Sequence, residues 1–91
     1  VTHKIYSVYD SKAEAFTQPF FAHTRGIAQR MFRAACQDPN HDFHKFADDY
    51  TLFELGEFDD QSADFNQHEA PISLGLALSN LTPEVNENVN G

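Results

Sequence analysis

Tyr50-Thr51-Leu52-Phe53-Glu54-Leu55-Gly56-Glu57-Phe58 is the stretch on which the fold turns. Aromatic and branched apolar residues alternate through it with polar ones, which is strand chemistry. Asp59-Asp60-Gln61-Ser62 follows and reads as a turn. Ala63-Asp64-Phe65-Asn66-Gln67-His68 then reads as the antiparallel return strand of a hairpin. Gly56 inside the strand predicts a bulge or a close backbone approach.

Upstream, Lys4-Ile5-Tyr6-Ser7-Val8-Tyr9 reads as another strand, closed by Asp10-Ser11. Both of its faces carry aromatic mass, as expected of a central strand. Ser11-Lys12-Ala13-Glu14 matches a capping box, so Ala13 to Phe16 is expected to make one helical turn before Pro19 stops it. The main helix is expected from Thr24, as N-cap, to Gln37. Ile27, Ala28, Met31, Phe32 and Ala35 form its apolar stripe, and Asp38-Pro39-Asn40 ends it. His41 to Asp49 reads as a connection with room for a turn of helix. Ile72 to Leu78, after Pro71, fits a short helix or an extended segment equally well.

The expected fold class is therefore α+β: a small antiparallel sheet of about three strands, with one main helix packed on one face. Residues 1–79 form one domain, and 80–91 a flexible tail open to partners. Nine phenylalanines against three isoleucines and four valines make the core aromatic.

Charge narrows the function. Fourteen acids face six bases in 91 residues, giving a net charge of −8, so any nucleic-acid contact needs a local basic patch. No apolar run approaches the roughly 20 residues of a membrane helix. No basic-then-apolar stretch with a small-residue cleavage site is read, so export is not expected, and Cys36 is the only cysteine. These features fit a reducing compartment.

All three arginines, Arg25, Arg30 and Arg33, lie on the main helix. At about 100° per residue they occupy an arc of roughly 140° opposite the apolar stripe. Guanidinium forks bind phosphate bidentately. The arc reads either as a solvated face or as a surface for nucleic acid or another anionic partner, with Lys12 and Lys45 as further cationic candidates. Phe43, Phe46, Tyr50 and Phe53 could stack on unpaired bases, or they could fill the core. Cys36, His41 and His44 are the nearest approach to a zinc site, with His68-Glu69 as a distant fourth ligand, but the paired spacing of structural zinc is missing. The expected cofactor set is empty. Glu54, Glu57, Asp59 and Asp60 read as a solvated hairpin end. No nucleotide-binding glycine loop, nucleophile elbow or hydrolytic triad occurs, so an enzyme is not expected.

Several phrases in order carry a family resemblance. They are Lys4-Ile5-Tyr6-Ser7-Val8-Tyr9-Asp10-Ser11-Lys12-Ala13-Glu14-Ala15, Gln18-Pro19-Phe20-Phe21, Asp38-Pro39-Asn40-His41-Asp42-Phe43, Tyr50 through Asp60, and Ile72-Ser73-Leu74-Gly75. Together they resemble the small nonstructural protein of gokushovirus-type microviruses, tailless phages with circular single-stranded DNA. The tail from Asn80 lies outside the resemblance. It implies a nonstructural accessory protein, sometimes described as DNA-binding, acting in genome synthesis or packaging. It supplies no catalytic residues. Single-stranded DNA is the expected partner, with a homodimer or higher homo-oligomer. The alternative is a factor that contacts a viral or host replication protein, or assists capsid assembly, without touching nucleic acid.

Overall fold

A bulge at Leu55 shapes the sheet. The computed structural model describes residues 1–81. In it, strand β4 (Tyr50–Asp59) lies between β1 (Thr2–Asp10) and β5 (Asp64–Leu76), antiparallel to both. Ile5 pairs with Gly56 and Tyr6 with Glu54, so Leu55 is an extra residue on β4. Such an insertion bends a strand and raises its twist. On the other side Gly56 pairs with Gln67 and Glu54 with Ile72, so β5 bulges through residues 68–71 at the same level. Pro71, which has no N–H to give a ladder, lies in that bulge on the edge strand.

Two short strands complete the sheet on the free side of β1. β2 (Ala15–Phe16) pairs with Tyr9 and Asp10, and β3 (Phe20–Ala22) pairs with Lys4 to Tyr6. Thr17 bridges the gap between them. Its N–H donates to the Val8 carbonyl, its Oγ1 accepts from the Val8 N–H, and its carbonyl accepts from Ser7 Oγ at 2.6 Å.

The expectation of a sheet of about three strands is thereby overturned. The fold is not the expected α+β class but mostly β, with 46% of the described residues in strands, in a curled five-stranded antiparallel half-barrel with one main helix. The extra strands escaped sequence reading because two or three residues carry no period. The capping-box reading of Ser11 to Glu14 fails as well. Asp10 takes the capping role there, its Oδ1 accepting from the Lys12 and Ala13 N–H groups, and a tight turn with Glu14 at φ 57° leads into β2. The hairpin joining β4 to β5 repeats this device. Asp59 Oδ1 accepts from the Gln61 N–H, and Ala63 takes φ 65°.

Helix α1 (Arg25–Cys36) matches its sequence signals. Thr24 is the N-cap, and its hydroxyl accepts from the Ile27 N–H at 3.1 Å. Ala28, Phe32 and Cys36 bury one stripe of the helix against Tyr6 and Val8 of β1 and Leu52 of β4. Met31, expected in the stripe, is exposed. A four-residue helix α2 (Asp42–Lys45) and a 3₁₀ turn (Ala47–Asp49) lead into β4. The stretch after Pro71, undecided from sequence, is extended to Leu76 and then forms a 3₁₀ turn (Ala77–Asn80). Leu81 packs against the core. The expected flexible tail lies, from Thr82 onward, outside the described residues.

The register sorts the strand side chains into two faces. Lys4, Asp10, Glu54, Glu57, Asp59 and Asp64 share the face on which α1 packs. The paired positions of the opposite, outer face hold no Asp, Glu, Lys or Arg. Its large residues are His3, Ile5, Tyr9, Phe16, Phe21, Phe53, Phe58, Phe65, Gln67 and Leu76.

Candidate functional site

The strongest polar constellation lies between α1 and the sheet. Glu54 pairs with Tyr6 on the buried face of β4, and it is only 2% exposed. Its Oε1 accepts from Arg25 Nε at 3.0 Å, and its Oε2 lies 2.8 Å from His68 Nε2. Burial alone would push this carboxyl up. The Arg25 and His68 hydrogen bonds outweigh that push and hold it below the ordinary glutamate range, with Lys4 assisting. Glu54 thus ties the first turn of α1 to the bulge of β5. The Tyr6 hydroxyl is buried beside it with no hydrogen-bond partner among the described residues. Burial, then the Glu54 charge, pushes the Tyr6 phenol up.

Sequence reading placed Glu54 on a solvated hairpin end and missed the roles of Tyr6 and His68. One signal was present: Glu54 stands two residues from Leu52, on the same face of the strand. The remaining hairpin acids match the reading better. Asp60 is exposed, and hydrogen bonds from the N-terminal amine and His3 hold it below the ordinary aspartate range.

The arginines divide. Arg25 is committed to Glu54, whereas Arg30 and Arg33 are exposed on α1. Among the described residues neither forms an ion pair, and neither does exposed Lys45 on α2. Every other lysine or arginine faces an acid: Lys4 lies 3.3 Å from Glu57, and Lys12 lies 3.9 Å from Asp49. Helices α1 and α2, which carry the three unpaired cations, pack on each other.

Lys12, Lys45 and Phe46 do come together. They line a depression of about 400 Å³ with His44, Asp48 and Asp49 among its other walls. The Phe46 ring is 55% exposed. Phe43 and Tyr50 stand apart from it as packing residues, their rings 4.7 Å apart, with Phe43 also 5.5 Å from Phe32. Phe53 lies on the outer face, edge-on to Phe16 at 5.6 Å.

The weak zinc candidates are occupied otherwise. Cys36 is buried, and desolvation pushes its thiol up to about 11. His41 Nδ1 accepts from the Phe43 N–H and caps α2. His44 Nδ1 meets the Cys36 carbonyl at 2.9 Å rather than its sulfur. Among the described residues no group of three or more His, Cys, Asp or Glu side chains could hold a metal. Nor is any helix among them long and apolar enough to cross a membrane.

The protein is thus a small curled antiparallel sheet backed by one helix, with an aromatic outer face. Residues 3–80 match the family model described as Phage ORF5 protein, and the chain belongs to that family of phage proteins. No curated protein and no solved structure matches it.

Proposed function

We propose that the protein is a non-enzymatic accessory factor of a gokushovirus-type phage that binds single-stranded DNA during genome synthesis or packaging. The contact surface in this reading is the cationic side of α1 and α2. One observation carries the proposal. In a chain with fourteen acids and six bases, three of the bases, Arg30, Arg33 and Lys45, have no acidic partner among the described residues. Surplus acid would be expected to neutralise every base, so unpaired guanidinium groups are free for phosphate. Phe46, exposed beside Lys12 and Lys45, adds a ring on which a base can stack. Asp48 and Asp49 in the same depression oppose phosphate there, which favours the arginines as the main contacts.

The double variant Arg30→Ala, Arg33→Ala tests the proposal by fluorescence anisotropy of a labelled oligonucleotide. Both side chains are exposed, so the fold is expected to survive. The expected result is a loss of affinity of tenfold or more at low salt. Unchanged affinity would remove the arginines from the site. The alternative reading, a factor acting through protein contacts, draws its support from the uncharged outer face.

A further inference from the structure

We infer that the outer face of the sheet is the docking surface for a second copy of this chain, the two sheets packing face to face. The inference does not rest on the DNA-binding proposal.

Exposure is the first ground. Phe16, Phe21 and Phe65 are 45%, 50% and 66% exposed, although they belong to one face of one sheet. They extend two ring clusters. Tyr9, Phe16 and Phe53 form one, with centroids 4.9 and 5.6 Å apart. Phe21, Phe58 and Phe65 form the other, at 5.8 and 4.7 Å. Beside the second lies a depression of about 430 Å³, lined mainly by apolar side chains, with room for a phenyl ring. Contiguous exposed aromatic surface of this kind marks an interaction site.

Charge selects the occupant. The chain is 22% charged, yet no paired position of this face holds Asp, Glu, Lys or Arg. His3 is the one residue at these paired positions able to carry positive charge, and Asp60 engages it at 2.9 Å, so a polyanion or an acidic or basic partner finds little counter-charge there. The surface that matches an uncharged aromatic face is another uncharged aromatic face. Two copies at −8 repel each other, and this docking keeps the ionised strand residues on the far sides of both sheets.

Area is sufficient. Nine- and ten-residue strands run roughly 30 Å, and four strands abreast span roughly 19 Å, so the face covers on the order of 600 Å² before side-chain relief is counted. A standard interface needs about 800 Å² of accessible surface from each partner. Self-complementary faces close under two-fold symmetry, and sheets stack about 10 Å apart.

Sedimentation equilibrium of the full chain tests this. The 10.3 kDa chain is expected to sediment at twice its mass at micromolar concentration. Phe21→Glu and Phe65→Glu, each placing a charge in the face, are expected to sediment as monomers with an unchanged circular dichroism spectrum. Met31→Glu, exposed on α1, is expected to stay dimeric. A wild-type monomer at 100-fold higher concentration overturns the inference, as does a dimer that survives both phenylalanine variants. A monomeric wild type whose Phe65→Glu variant loses oligonucleotide affinity also overturns it, and assigns the face to nucleic acid instead.

Discussion

His68 Nε2 lies 2.8 Å from Glu54 Oε2, although fourteen residues and a bulge of β5 separate the two. With Arg25 on the other oxygen, a buried carboxylate joins three elements of the fold. The pairing that commits Arg25 to the scaffold leaves Arg30 and Arg33 as the free cations of α1.

Glu54 makes stability depend on acid. Its folded pKa lies below the ordinary glutamate value of 4.5. Its contribution is therefore fully present above that value and is lost as pH falls through the folded pKa. Asp60, also lowered, acts in the same direction. Glu54→Gln is expected to cost about 2 kcal/mol at neutral pH, because two charge-assisted hydrogen bonds are weakened. It should also flatten the fall in stability below pH 4.5. Urea titrations at several pH values check both effects, and a variant with the wild-type pH profile would contradict the assignment.

Tyr6→Phe should be tolerated. The hydroxyl is buried without a partner among the described residues, so its removal relieves a desolvation cost. The expected change lies between zero and a gain of about 1 kcal/mol. An unfolding free energy lower by more than about 1 kcal/mol in urea titrations would mean that the hydroxyl has a stabilising partner.

Two backbone positions should respond in opposite directions. A Cβ at Gly56 would run into the Asn66 carbonyl oxygen and lie 2.9 Å from Gln67 Cα, both fixed backbone of β5. Gly56→Ala is expected to cost about 2 kcal/mol or more. Ala63 holds φ 65° in the turn before β5, a conformation that costs an L-residue about 1 kcal/mol. Ala63→Gly should recover most of that, and thermal melts of the two variants read both signs.

Much of the fold was legible where signals are local. The Thr24 cap, the stripe of α1 and the alternation of β1 and β4 each lie within a dozen residues. Gly56 announced a close approach, and Asn66 is what it approaches. β2 and β3 were illegible because they exist only through pairing with β1. The second half of β5 was hidden by Pro71 and by Gly75 at φ 129°, which break its period. For the candidate site, sequence supplied the arginines but could not separate them. That separation depends on Glu54, which the Leu55 bulge places opposite Tyr6, and on His68, which arrives from another strand.

The most direct test of the proposed function is the salt dependence of single-stranded DNA binding by the wild-type chain, read by fluorescence anisotropy of a labelled oligonucleotide. Two or three phosphates neutralised by Arg30, Arg33 and Lys45 predict a log–log slope of roughly −1.5 to −2. Absence of binding at low salt, or affinity indifferent to salt, would contradict a phosphate-binding cationic side.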